Sequence, residues 1–321
     1  MMMRMFKRLL WSVLLVAGLI LAWAAIKFGP MTYAALVGFK NYETVPPKLP
    51  DSLGPKAILI FSKTNGFRDD EQIRAGNAAV AAIARRQGWS YYITENAAVF
   101  NPTQLGRFQA VVWDSVSGDV LTPQQRADFK AWLEQGGGFV GLHGAGGDPS
   151  YKWKWYVDEL IGTQFIGHTL NPHIQQATLV IEDGQHPATR GLGSTWVRSD
   201  EWYSFAASPR SKGYHVLVSI DESSYRPVEG MIPFMKPKSI AMGKDHPMVW
   251  SHCVGRGRAI YSALGHTASS YAEPKHLQLI EGAISWAAGY AGTGCANGAR
   301  QDDAAPAGNS KFQGQAANGP A

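Results

Sequence analysis

The chain has 321 residues, 45% of them hydrophobic, so it can bury a substantial core as one large domain with additions at its ends. Its net charge of +5 is scattered through the body, and Arg4, Lys7 and Arg8 supply part of it at the very start, which argues against a nucleic-acid partner. The two cysteines make neither a metal-ligand spacing nor a disulfide framework: Cys253 reads as a small buried apolar residue, and Cys295 falls in a small-residue tail.

Behind the basic leader, residues 9–26 form an uncharged apolar run long enough to cross a bilayer as a helix. Positive charge on the amino-terminal flank keeps that end in the cytoplasm, so the rest of the chain is expected to face the periplasm or the outside. An uncleaved anchor is expected, because Lys27 and a second apolar patch at 31–39 follow the run. The alternative is a secreted protein, released by cleavage after Ala22-Trp23-Ala24. The chain then divides into an anchor or signal at 1–30, a linker at 31–55 stiffened by Pro46-Pro47, a domain at 56–290, and a tail at 291–321 whose composition predicts disorder.

Lys56-Ala57-Ile58-Leu59-Ile60-Phe61 opens the domain as a continuous apolar strand of the kind buried on both faces in a parallel sheet. An alanine-rich helix is predicted over 70–87, stopped by Gly88, and further strands over 89–94 and 110–114. Thr122-Pro123-Gln124-Gln125 starts a helix that the triple glycine at 136–138 ends. Strand–helix alternation at this spacing predicts an α/β fold, a doubly wound and mainly parallel sheet. Beyond residue 150 the rhythm changes. Added antiparallel strands are expected over 176–181, 200–205 and 213–220, a hairpin across Gly255-Arg256-Gly257, and a closing helix over 276–288. The Gly-Arg-Gly-Arg stretch lacks a following helix, so no nucleotide cofactor is indicated.

The fourth strand runs Gly138-Phe139-Val140-Gly141-Leu142 into His143-Gly144-Ala145-Gly146-Gly147, which has the pattern of a nucleophile elbow with His in the nucleophile position. Open α/β sheets place their chemistry at such strand ends. All nine histidines lie after residue 142, and His143, His168, His173 and His266 each sit at a strand end or in a Gly- or Pro-marked loop. Each alone is most simply structural, but loops can bring them to one pocket, for acid/base work or metal ligation. Asp200-Glu201-Trp202-Tyr203 pairs two carboxylates with two aromatics. Side chains alternate along a strand, so one carboxylate enters a given pocket, and Glu201 is the choice.

Gly137-Gly138-Phe139-Val140-Gly141-Leu142-His143, Asp200-Glu201-Trp202-Tyr203, His246-Pro247-Met248-Val249-Trp250 and Gly255-Arg256-Gly257-Arg258-Ala259-Ile260-Tyr261 with Leu264-Gly265-His266 resemble, in order and spacing, the ThuA-like (trehalose utilisation) family. The resemblance implies a flavodoxin-like domain related to class I glutamine amidotransferases, and a link to carbohydrates, including oxidised disaccharides. His143 stands where an amidotransferase needs Cys, so no thioester can form there. The expected function is an enzyme acting on a sugar, glycoside or keto-sugar. His143, Glu201 and His266 are its catalytic candidates, Trp202, Tyr203, Asn65 and Arg68 its substrate contacts, and His143, His168 and His173 the ligands of a divalent metal. The alternative is a non-catalytic carbohydrate-binding or scaffold protein at the membrane surface.

Overall fold

The computed structural model describes residues 2–36, 41–230 and 236–295. Met2–Leu36 is a single helix, α1; its stretch Arg4–Gly29 has a mean hydropathy of 2.5 and none of it is buried. It is long and apolar enough to span a bilayer. The linker segment runs along the domain where it is described. Glu43 pairs with Lys63 at 2.6 Å, Asn65 donates to the Asn41 carbonyl, and Gln104 donates to that of Pro47.

Five strands form the parallel half of the main sheet's framework: β1 (Ala57–Phe61), β2 (Ser90–Thr94), β3 (Ala110–Asp114), β4 (Gly138–Leu142) and, much later, β13 (Gly257–Ser262). Between β4 and β13 the chain builds β5 (Phe165–His168), β6 (Gln175–Ile181), β7 (Thr195–Asp200), β8 (Tyr203–Phe205), β9 (His215–Ile220), β10 (Val228–Glu229), β11 (Lys238–Ser239) and β12 (Pro247–Val254). The nine-stranded sheet runs β2-β1-β3-β4-β13-β12-β9-β6-β7. Its first five strands are parallel, and every pairing from β13 onward to β7 is antiparallel. β5–β8 and β10–β11 are separate two-stranded sheets.

The expected helices form where local chemistry demands them. The Asp69 carboxylate caps α2 (Asp70–Gln87) by accepting from the amides of Glu71 and Gln72, and Gly88 closes it at φ +69°. After α3 (Pro102–Leu105), Thr122 and Gln125 form a reciprocal capping box on α4 (Pro123–Glu134). The closing helix is α5 (Pro274–Ala287). β1, β3 and β4 are buried along their whole length, which accounts for their unbroken apolar runs. Between β4 and β5 lies a short π-helical segment, Tyr156–Ile161, whose Tyr156 ring stacks on Trp113 at 5.0 Å.

The cysteines depart from expectation: Cys253 and Cys295 are joined by a disulfide, their Cα atoms 5.8 Å apart. Past α5 the chain folds back. The amides of Tyr290 and Ala291 both donate to the Ser285 carbonyl, and Arg258 donates to those of Trp286 and Ala291, which steers residue 295 to the end of β12. Residues 291–295 of the expected tail are therefore held, and 296–321 lie outside the described residues.

Two buried histidines outside the four-histidine cluster bear on acid stability. Burial pushes the imidazoles of His252 and His276 down to about 4 and about 3, so both are neutral in the folded state. The unfolded chain protonates each near its ordinary value, about 6.5. Stability is therefore expected to fall as pH drops from about 6.5 toward 4, with these two groups adding about 2.7 kcal/mol per pH unit. Urea unfolding across that range checks this. A His252→Gln variant should lower the slope by about 1.4 kcal/mol per pH unit, and an unchanged slope would show that His252 does not contribute.

Candidate functional site

Strand polarity decides which residues meet. β4, β13 and β7 all point the same way, because four successive antiparallel pairings separate β13 from β7. Their carboxyl ends lie along one edge of the sheet, and β6, antiparallel to β7, starts at that edge. His143 follows β4, His266 lies four residues past β13, Glu201 follows β7, and His173 lies two residues before β6. His168 ends β5, and its pairing with Tyr203 on β8 holds it two residues from Glu201.

His143 occupies a strained position at φ +44°, as an elbow residue does, and begins a single 3-10 turn, His143–Gly146. The glycines after it make room for rings: a Cβ on Gly146 would lie 2.5 Å from the Tyr261 ring, and one on Gly147 2.3 Å from that of Tyr203. The elbow is not exposed, since His143 is 4% accessible beneath Tyr203, whose ring stacks on it at 4.4 Å. His143 Nδ1 donates to the Ala263 carbonyl at 2.9 Å, so in the neutral ring the lone pair is on Nε2, the nitrogen that faces the site. Tyr261 donates to the His143 carbonyl at 2.8 Å.

Four imidazoles converge on one carboxylate. Glu201 Oε2 lies 3.2 Å from His143 Nε2 and 3.4 Å from His266 Nδ1, and those two nitrogens are 3.2 Å apart. Glu201 Oε1 faces His168 Nδ1 at 2.9 Å and His173 Nε2. His168 Nδ1 is also 3.1 Å from the Thr169 carbonyl, so a proton on that nitrogen is shared between two acceptors. Burial alone would raise the Glu201 carboxyl, but contacts from His143, His168 and His173 outweigh it and hold the group well below the usual carboxylate range. Burial pushes His143 and His168 down, yet the Glu201 carboxylate wins and raises both. His266 goes the other way, lowered by burial and by the neighbouring His143. Burial, reinforced by the Glu201 charge, lifts the Tyr203 hydroxyl well above its ordinary value, so it keeps its proton at neutral pH.

The chemistry of the donor set fits a metal ion. Ligands about 2.0–2.2 Å from a tetrahedral ion stand about 3.3–3.5 Å from one another, and the His143, His266 and Glu201 atoms form a triangle with sides of 3.2, 3.2 and 3.4 Å. His168, His173 and Glu201 make a second group within ligand range. The expected trio of His143, His168 and His173 is thus divided between the two oxygens of Glu201, and His266 takes its place beside His143.

The aromatic and loop candidates are dispersed. Trp202 is fully buried and its Nε1 donates to the Gln175 carbonyl, so its ring presents no face to a ligand. Asn65 is 1% accessible and spends its amide on the carbonyls of Asn41 and Asp119. Arg68 binds Asp70 and Glu95 at the surface. Tyr203 alone of these reaches the cluster, its hydroxyl 2.9 Å from His143 Nε2. His246, buried, contacts Glu222 through Nδ1 and the Tyr203 carbonyl through Nε2, and so fixes the segment that carries Tyr203. Asp200 is buried as completely as Glu201. Of the two, Glu201 faces the imidazoles, but β7 ends at Asp200 and Glu201 lies beyond the pleat, so alternation along the strand is not what separates them. No sequence signal pointed to Tyr261 or to the Ala263 carbonyl.

Residues 57–287 match the family described as "ThuA: Trehalose utilisation". No curated protein matches the chain. Among solved structures, a ThuA-like protein from Bacteroides uniformis is 22% identical with a TM-score of 0.59, covering 76% of this chain and 95% of that one. A ThuA-like protein from Parabacteroides merdae is 17% identical with a TM-score of 0.52, covering 73% and 90%. At these identities the likeness speaks for the fold.

Proposed function

The chain belongs to the ThuA (trehalose utilisation) family, and on that footing we propose that it is a sugar-modifying enzyme working through the Glu201 cluster with a divalent metal ion. Membership carries a carbohydrate-related role; the reaction class is our reading. The observation that carries it is the triangle of His143 Nε2, His266 Nδ1 and Glu201 Oε2. These three residues would hold the ion, which supplies polarisation of a carbonyl or hydroxyl oxygen.

The protein's own groups then divide the work. Glu201, kept ionised, orients all four imidazoles. Tyr203 retains its proton and can donate it to a substrate oxygen beside His143. The His173 side chain is 42% accessible and the other three imidazoles are less so. It is thus placed to exchange protons between solvent and the Oε1 side, where a base could take an acidic C–H next to a sugar carbonyl. A keto-sugar or other carbonyl-bearing glycoside suits this arrangement. The burial of Trp202 favours this reading over a purely binding role that would stack a sugar on that ring.

We place the domain outside the cytoplasm, tethered by α1 or secreted after cleavage. The disulfide supports this, since such bonds persist in oxidising compartments. Purified protein is expected to contain a divalent ion, and turnover of a keto-disaccharide, followed by NMR, should stop on chelation and return on adding metal back. Turnover that survives complete metal removal, or a protein with no affinity for any divalent ion, would refute the reading.

A further inference from the structure

Beneath the cluster lies a second carboxylate that touches none of the four histidine rings. Asp200 is fully buried, and its two oxygens are divided between neighbouring segments. Oδ1 accepts from the amides of Glu201 and His266, both at 3.0 Å. Oδ2 accepts from the amide of Gly265 at 2.8 Å and pairs with Arg198 Nη2 at 3.0 Å. One side chain therefore grips the backbone of two residues of the triangle, from segments 65 positions apart in the chain.

Arg198 anchors the grip. Its side chain is 2% accessible; Nη2 donates to Ser270 Oγ at 2.9 Å, and Nε pairs with Glu273 at 3.3 Å. The guanidinium also lies over the Trp196 ring, 4.8 Å from its centre. Gly265 itself sits at φ +110°, where a Cβ would come within 2.8 Å of the Tyr271 hydroxyl and 2.9 Å of the His276 ring. The loop bearing His266 is thus packed against these rings and pulled onto Asp200, with little freedom to settle elsewhere. A buried ion pair of this kind leaves an uncompensated charge when one member is removed, so it is a poor place for a residue with only a generic role.

We infer that Asp200 is a positioning residue of the metal site: it sets the spacing between Glu201 and His266 by holding both backbones on one carboxylate, with Arg198 as its counter-charge. The inference rests on the metal reading above. Asn in place of Asp tests it with the least change in shape. If its oxygen keeps the Glu201 and His266 amides, its NH2 faces the Gly265 amide and Arg198, donor against donor; the flipped amide loses the other pair instead.

Zinc affinity of the full-length protein, read by chelator competition, is expected to fall about 10- to 100-fold in Asp200→Asn, the usual consequence of disturbing a ligand's support. Leu217→Ala, which removes a fully buried core side chain in β9, serves as the destabilised control and should bind zinc as the native protein does. Should Asp200→Asn fail to fold, Arg198→Lys, which keeps the charge but loses the fork, is expected to weaken zinc binding in the same direction. A second readout does not need the metal: NMR contacts between the His143 and His266 rings, whose centres are 5.2 Å apart, should be lost in the variant. Native-like zinc affinity in a folded Asp200→Asn protein, or an equal loss in Leu217→Ala, overturns the inference. A native protein that binds no zinc overturns the metal reading, and the ring contacts then still decide whether Asp200 positions His266.

Discussion

Replacing His143 by Ala is expected to lower divalent-metal affinity by about two to three orders of magnitude while leaving the fold intact. Apparent binding energies of about 10–16 kcal/mol at four-ligand zinc sites correspond to about 2.5–4 kcal/mol per ligand, and about 1.4 kcal/mol is a factor of ten. In the proposed metal site, His143 would be the ligand whose loss cannot be made good locally. His168 and His173 face the other oxygen of Glu201, and the Nδ1 bond to Ala263 fixes the lone pair that His143 contributes. The fold is expected to survive the loss, because His168, His173 and His266 still face Glu201 and the backbone is strained at φ +44° whichever side chain it bears. Chelator competition and a thermal melt on the same preparation check both halves. A His143→Ala protein that binds metal as tightly as the native one would remove His143 from the site.

Cutting the disulfide should have the opposite signature, metal retained and stability lost. Cys253 and Cys295 close a loop with a sequence separation of 42 residues, and the chain-entropy relation gives about 4 kcal/mol for a loop of that size. In a domain of this length each kcal/mol moves the midpoint by about 2–4 °C, so a Cys253→Ser/Cys295→Ser variant is expected to melt about 8–16 °C lower. Reductant should reproduce the shift in the native protein and leave the variant unmoved. The bond also reports on location. In the native host the pair should resist thiol labelling until reduced; free thiols on newly made, folded protein would contradict both the disulfide and an extracytoplasmic domain.

Several features were legible in the residues because the forces behind them are local. An apolar run without charge becomes a helix long enough for a bilayer, Asp69 and Thr122 cap the helices that follow them, and Gly88 ends one. Unbroken apolar strands announce a sheet covered on both faces, and a His between glycines at a strand end announces an elbow. That much placed His143 and the fold around it. What joins His143 to Glu201, His173 and His266 is set by strand polarity across a nine-stranded sheet, in which β7 stands five places from β4 and still ends at the same edge. Alternation along a strand could not choose between Asp200 and Glu201, because the strand stops between them and each carboxylate takes its own set of partners. Trp202 and Tyr203 are adjacent and equally aromatic, yet one ring is sealed in the core and the other covers the elbow. The cysteines look unrelated along the chain until the turn after α5 brings them together. In each case the deciding interaction joins segments distant in sequence, and such contacts leave no periodicity or spacing for a linear reading to find.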